Sequence, residues 1–272
     1  MADSESVFRL GLIGWPITFS LSPLIHTEFF RTTGMSGEYV SYPVSPGEFK
    51  GLVSGLFAAG VTGLNITYPH KIAAAGICDE VNDDARELNA VNTLKAADGY
   101  ITGFNTDIYG FSKYIDYCDL PEPFFIAGSG GAARAIDYVM RERHLQYGMY
   151  CRNPDNWRGF SSALKLDELG DSLKKTGGGT VVNATVLGWK DDDLFPVDMP
   201  VLEGRVFADL NYNRSWHWRN DLKQQNVEIH TGEVMLVNQA ARSFEIWTGI
   251  MPGTSGVLEI VRKKLSGVKE GL

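Results

Sequence analysis

Two short stretches carry residue types suited to proton transfer. In Asn65-Ile66-Thr67-Tyr68-Pro69-His70-Lys71 a strand gives way to a helix, which puts Pro69 at the first helical position and Lys71 in the first turn. A cation there opposes the helix dipole, an arrangement that suits a partly desolvated lysine to proton exchange; a plain surface lysine is the alternative. Asn105-Thr106-Asp107 opens another helix, where Asp107 either caps the first turn or, beside Lys71, completes an acid–base pair. Asn65 and Thr67 alternate with Ile66 and either orient a ligand or cap the turn. Ser20 and Ser22 precede Pro23 at a third helix start, where two hydroxyls and free N–H groups can hold a carboxylate, although one serine is expected to serve as the cap. His26 reads as a packing or surface histidine. No His, Cys or acidic cluster stands at metal spacing, so no metal is assigned.

A third stretch suits phosphate. Phe124-Phe125-Ile126-Ala127-Gly128-Ser129-Gly130-Gly131-Ala132-Ala133-Arg134 places glycines at the end of a strand and the start of a helix, where backbone N–H groups and the helix dipole can receive a pyrophosphate. Ala133 takes the sixth position of the glycine pattern, where only close helix–strand packing is required. A glycine-rich turn that binds nothing is the alternative. About twenty residues on, the chain has Tyr150-Cys151-Arg152-Asn153 where an acid would select an unphosphorylated ribose. Arg152 therefore argues for a 2′-phosphate, with Arg158 assisting if the turn Pro154-Asp155-Asn156-Trp157 folds it back. A solvated Arg152, or Asp155 on an unphosphorylated ribose, stays open.

The elements that position these residues alternate. Residues 7–13, 38–44, 61–66 and 90–94 read as strands, interleaved with helices over 22–31, from 48 to about 60, and after Pro69. A helix from 105–107 to Tyr117 meets the break at Pro121-Glu122-Pro123, a candidate domain boundary. Beyond it come strands at 124–127, 147–151, 180–183 and 205–209, with a helix to about Glu142. Two helical patterns, 233–247 and 254–265, close the chain, and periodicity does not choose which half they pack on. At 272 residues the length allows one large or two modest domains. Lys and Arg number 25 against 33 Asp and Glu, a formal charge of −8, which excludes a basic stripe for nucleic acid. Three widely spaced cysteines fit neither a disulfide framework nor a metal motif and suggest a reducing compartment. With no signal-like start and no long apolar run, a cytoplasmic protein with no membrane partner is expected.

Taken together the motifs resemble the shikimate dehydrogenase family over nearly the whole chain. They run in order: Gly14-Trp15-Pro16 through Ser20-Leu21-Ser22-Pro23 and His26, Asn65 to Lys71, Ala90-Val91-Asn92-Thr93-Leu94, Gly103-Phe104-Asn105-Thr106-Asp107, Gly128 to Arg134, Asn183-Ala184-Thr185, and Gly232-Glu233-Val234-Met235 through Gln239 to Trp247-Thr248-Gly249. The resemblance implies an α/β architecture: an N-terminal substrate domain (residues 1–106) completed by C-terminal helices (239–272), with an inserted Rossmann-like NADP-binding domain (107–238). It implies reversible NADPH-dependent reduction of 3-dehydroshikimate to shikimate, on the route to chorismate and the aromatic amino acids, by a monomer or homodimer with hinge closure over the substrate.

By the same resemblance Lys71 and Asp107 match the catalytic pair. Ser20 and Ser22 match the carboxylate grip, Thr67, Asn92, Asp107 and Gln239 the ring-hydroxyl contacts, and Tyr212 a contact near the carboxylate. Gly128, Ser129, Gly130, Gly131, Ala132, Arg152, Asn153, Arg158, Thr185, Gly232 and Met235 match cofactor positions. Met235 and Gln239, one helical turn apart, share a face. The chain departs from the family pattern at Thr27, at Cys151 and Asn153 around Arg152, at Val186, and at Arg214 and His217. These leave room for a quinate-oxidising or NAD-using paralogue, and a non-catalytic nucleotide-binding regulator is the alternative of another class.

Overall fold

The structure, a computed structural model, describes residues 7–190, 192–212, 217–225 and 227–267. It divides into two compact units, Met1–Gly110 with Val237–Lys263, and Phe111–Leu236 with Lys264–Leu272.

The first unit contains β1 (Phe8–Gly14), α1 (Ser22–Thr33), β2 (Gly37–Pro43), α2 (Phe49–Ala58), β3 (Gly63–Ile66), α3 (Lys71–Ala75), β4 (Glu80–Val81), α4 (Asp83–Leu88), β5 (Thr93–Ala97), β6 (Tyr100–Phe104) and the start of α5 (Asp107–Cys118). Among the described residues its sheet has the order β2-β1-β3-β5-β6-β4. β1 runs parallel to β2 and β3, while β5 is antiparallel to β3 and β6. The C-terminal ends of β1, β3 and β6 and the start of β5 therefore lie at one end of the sheet. That end receives Ser20, Thr67, Lys71, Asn92 and Asp107.

The elements follow local chemistry. The inner strands β1 and β3 are almost wholly buried, as expected of parallel strands covered on both faces. Helix α1 stops at Gly34, which takes the left-handed conformation (φ 70°). Asp98 (φ 52°) and Gly99 (φ 77°) turn the β5–β6 hairpin. The core gathers Ile13, Phe49, Val53, Leu64, Ile66, Val91 and Leu94.

Three local expectations need correction. Ser22 is not the cap of α1: the preceding Leu21 is already helical, and Ser20 Oγ accepts the Ser22 N–H. Pro69, in a cis peptide with Tyr68, precedes His70 at the N-cap of α3, so Lys71 is itself the first helical residue. The segment 90–94 enters its strand only at Thr93, and the Ala90 carbonyl before it accepts from the Asn105 side chain.

The second unit continues α5 and contains β7 (Phe124–Ala127), α6 (Gly131–Glu142), β8 (Tyr147–Cys151), β9 (Ala163–Lys165), α7 (Leu169–Lys174), β10 (Thr180–Asn183), β11 (Val206–Asp209), α8 (His217–Gln224) and β12 (Glu228–Thr231). The order β12-β11-β10-β7-β8-β9 is parallel throughout, a doubly wound arrangement whose strand order reverses beside β7, where the glycine loop starts. Phe125, Val181, Phe195, Phe207, Trp218 and Leu222 fill its core.

The chain closes with α9 (Glu233–Thr248) and α10 (Ser255–Gly267). The packing of α9 is fixed by Trp247, whose indole occupies the space a Cβ on Gly63 would need and whose Nε1 donates to Leu94 O at 2.8 Å. Lys95 Nζ donates to Ile246 O at 2.8 Å and Asn65 Nδ2 to Ser243 Oγ at 3.0 Å, so this helix completes the first sheet. The fold is thus the expected one, an N-terminal α/β domain completed by a returning helix, and a Rossmann-like domain. Among the described residues no helix is long and apolar enough to cross a membrane.

Candidate active site

Lys71 Nζ and Asp107 Oδ2 are 2.5 Å apart, a charge-assisted pair with side chains only 18% and 7% exposed. Local structure delivers both groups. The Lys71 carbonyl accepts Val91 N–H at 2.9 Å, which ties α3 to the segment leading into β5. Asp107 does not cap α5, contrary to one expectation: Asn105 Oδ1 takes the Asp107 N–H at 3.1 Å and leaves the carboxylate available. Asp107 Oδ1 accepts from Asn92 Nδ2 at 2.9 Å, so each carboxylate oxygen has a donor.

Asn92 is almost fully occupied by this task. Its second amide hydrogen reaches Thr106 Oγ1 at 3.0 Å, and its Oδ1 accepts Thr106 N–H at 2.8 Å and Thr93 Oγ1–H at 2.9 Å. Asn65 neither caps the turn nor stands open to a ligand: it is buried, accepts from Tyr39 Oη at 2.8 Å and donates to Thr93 and Ser243. The Thr67 hydroxyl has no partner among the described residues and stays available beside Lys71's loop. Ser20 donates to Ser22 Oγ at 3.2 Å, so the two hydroxyls sit together before a twelve-residue helix that has no acid in its first turn. Thr106 Oγ1 reaches Gln239 Oε1 at 3.4 Å, and Met235 on the same helix is buried.

His26 packs as a core residue, stacked 4.2 Å from Tyr39 and beside Trp247 and Phe244. Burial pushes its pKa down to about 3, against an opposing effect of Asn65.

In the second unit Gly128 has φ 143°, and a Cβ there would lie 2.6 Å from Ala184 O, so the fold itself demands glycine. Gly130 caps α6 with extended backbone and no side-chain bond, and a Cβ on it would meet nothing. Its small size leaves room for something outside the chain. Ser129 and Gly130 are exposed, Gly131 and Ala132 half-buried, and Ala133 is fully buried against the sheet. A pyrophosphate fits such an uncapped twelve-residue helix start.

Arg152 and Asn153 are exposed at the end of β8. Arg158 is tied to its own turn, its Nη1 donating to the Asp155 and Trp157 carbonyls at 2.8 Å each. Sequence reasoning passed over Arg134, which burial and then the nearby Arg158 charge push below its ordinary pKa. The two guanidiniums are near enough for one charge to act on the other, and only the fold reveals their proximity. Also unforeseen is the buried Asp137 on α6. It accepts from Tyr147 Oη (2.8 Å), Ser161 Oγ (2.6 Å) and Phe160 N–H (2.5 Å), and so clasps the loop that follows Arg158.

Thr185 Oγ1 donates to Asn183 Oδ1 and accepts Leu187 N–H, which binds the hydroxyl into its own turn. Gly232 is required by close backbone approach to Leu210 O. Tyr212 is half-buried; Arg214 and the side chain of His217 lie outside the described residues. Among the described residues no group of three or more His, Cys, Asp or Glu is arranged to hold a metal ion.

Comparison with known proteins agrees with this geometry. Residues 12–94 match the shikimate dehydrogenase substrate binding domain, and 232–262 the shikimate 5'-dehydrogenase C-terminal domain. The chain is 31% identical over 265 residues to the shikimate dehydrogenase (NADP(+)) of one Thermus thermophilus strain, covering 95% of this chain and 99% of that one. It is 33% identical to the enzyme of Methanothermobacter thermautotrophicus over 278 residues, covering 94% and 96%. Among solved structures, shikimate 5-dehydrogenase from a second strain of Thermus thermophilus, in complex with NADP(H) and shikimate, superposes with a TM-score of 0.81 at 28% identity, covering 94% of this chain and 99% of that one. Shikimate dehydrogenase from Aquifex aeolicus gives 0.83 at 26%, covering 96% and 99%. The chain belongs to the shikimate dehydrogenase family.

Proposed function

We propose that this chain is an NADP-dependent oxidoreductase that interconverts 3-dehydroshikimate and shikimate, with Lys71 and Asp107 as its acid–base pair. The 2.5 Å contact between them, largely sealed from solvent, carries the reading. When bound, the reduced nicotinamide supplies the hydride to the C3 carbonyl carbon. Lys71 stabilises the oxygen as its negative charge grows and delivers the proton that completes the alcohol, then regains one from solvent. Asp107 keeps the amine aimed and accepts a ring hydroxyl. Ser20 and Ser22, at an N-terminal helix end free of acids, grip the substrate carboxylate, and Thr67 and Gln239 contact ring hydroxyls. Asn92 acts chiefly by holding Asp107.

On the nucleotide side, the loop Gly128 to Ala132 receives the pyrophosphate. Arg152 and Asn153, with Arg158 and Arg134, take the 2′-phosphate, which favours NADP over NAD. Thr185, Gly232 and Met235 border the nicotinamide end. Residues 1–106 with 239–272 form the substrate domain and 107–238 the dinucleotide domain, and the odd, scattered cysteines suit a cytoplasmic setting.

The test is an oxidation assay followed at the reduced-nicotinamide absorbance, with shikimate and quinate each offered NADP+ and NAD+. Shikimate with NADP+ is expected to give the highest kcat/KM. A dominant quinate and NAD+ rate, or no turnover with any pair, would overturn the assignment.

A further inference from the structure

Asp107 is held through Asn92, Asn92 is held by the buried hydroxyls of Thr93 and Thr106, and these two are joined by a third buried hydroxyl, that of Ser243. Thr93 begins β5, Thr106 precedes α5, and Ser243 comes from α9, with Ser243 and Thr93 fully buried and Thr106 nearly so. Ser243 Oγ lies 2.8 Å from Thr93 Oγ1, 3.0 Å from Thr106 Oγ1 and 3.0 Å from Asn65 Nδ2. We propose that Ser243 is a positioning residue for the Lys71–Asp107 pair, acting through Thr93, Thr106 and Asn92 without touching substrate. The inference rests on the dehydrogenase reading given above.

The hydrogen count supports it. The bonds can be assigned so that each side-chain hydrogen of the three hydroxyls and the two amides is satisfied, with the Ser243 hydroxyl also within reach of Gln239 O at 3.1 Å. Thr93 donates to Asn92 Oδ1, Ser243 to Thr93 Oγ1, and Thr106 to Ser243 Oγ; Asn65 Nδ2 donates to Ser243 and Thr93, and Asn92 Nδ2 to Thr106 Oγ1 and Asp107 Oδ1. In this arrangement Ser243 is the acceptor for two hydrogens that have no equally short alternative. Without it, Thr106 must turn to Asn92 Oδ1 at 3.2 Å or Gln239 Oε1 at 3.4 Å. The first competes with Thr93 for the same oxygen and pulls on the amide that holds Asp107. The second disturbs Gln239. Either way the loss on α9 is transmitted to the reacting end through a connected, low-dielectric network.

The test is a double-mutant cycle on the full chain, with kcat and KM for shikimate oxidation by NADP+. Ser243→Ala is expected to lower kcat about tenfold with KM for shikimate changed less than about threefold. In an Asp107→Asn background the same substitution is expected to change kcat less than about twofold, because the group it positions is already impaired. Ser243→Cys, which keeps the shape of the side chain at slightly larger size but weakens the hydrogen bonds, carries the same expectation if Ser243→Ala does not fold, and Ser243→Thr, which restores the hydroxyl, should recover most of kcat. An unchanged kcat in the single variant, or an equal loss in both backgrounds, overturns the proposal while the dehydrogenase reading stands. A wild-type chain that does not oxidise shikimate overturns that reading and this inference with it.

Discussion

At the end of the first sheet, Lys71, Asp107 and Asn92 satisfy one another, and Asn65, Thr93, Thr106 and Ser243 form a buried polar layer beneath them. At the glycine loop of the second sheet, Ser129, Gly130, Arg152 and Arg158 are exposed, α6 has no side-chain cap, and the buried Asp137 of α6 spends its carboxylate on Tyr147, Phe160 and Ser161. The difference follows from what each end must do. Proton transfer needs groups fixed to a fraction of an ångström before the substrate arrives, so the protein supplies their partners itself. A phosphate brings its own charge and acceptors, so the protein leaves donors open for it.

The comparison breaks most sharply at Lys71. Lys71→Ala should lower kcat about 10³-fold, about 4 kcal/mol of transition-state stabilisation, with KM for shikimate little changed. A rise in KM at constant kcat would make Lys71 a binding group only. The nucleotide end should respond in the opposite sense. Arg152→Ala should raise KM for NADP+ roughly 10- to 100-fold, the worth of one or two charged hydrogen bonds, and leave the NAD+ reaction unaltered. Equal effects on both cofactors would remove Arg152 from the 2′-phosphate.

Two glycines sharpen the contrast. Gly130→Ala meets nothing in the chain and should keep the unfolding midpoint within about 1 °C while raising KM for NADP+ severalfold. Gly128→Ala, which collides with Ala184 O from a positive φ, should destabilise by about 2 kcal/mol or more.

Much of this was legible in the sequence. The glycine loop, β7, α6 and β8 stand out because a buried apolar run, a glycine turn and a helical period follow one another within thirty residues. Lys71 and Asp107 stand out as polar residues at strand-to-helix junctions. The short edge strands β4 and β9 have too few residues to show a period, and β6 escaped because an antiparallel hairpin interrupts a strand–helix rhythm. The Asn65 and Ser243 network escaped for another reason: a serine on a helix and an asparagine in a strand look ordinary until the fold brings residues 178 positions apart within 3.0 Å. Arg134 likewise signals nothing until the fold brings its charge near that of Arg158.

A pH-dependent effect concerns His26, which the first unit keeps neutral in its aromatic core. Its folded-state pKa of about 3 lies below the ordinary histidine value of 6.5, so the unfolded chain binds the extra proton. Its contribution is therefore whole above pH 6.5 and lost as pH falls toward 3, by at most about 1.4 kcal/mol per pH unit. His26→Phe should flatten the pH dependence of urea unfolding across this window. An unchanged slope would place the acid sensitivity elsewhere.

The central claim, that Lys71 and Asp107 meet the oxygen being reduced, is tested most directly by a crystal structure of the chain with shikimate and NADP+. Lys71 Nζ is expected about 2.6–3.2 Å from the C3 oxygen of shikimate, with Asp107 in hydrogen-bond contact with both the amine and a ring hydroxyl. A shikimate bound in the same pocket with its C3 oxygen on other donors and the Lys71–Asp107 pair apart from it would contradict the account.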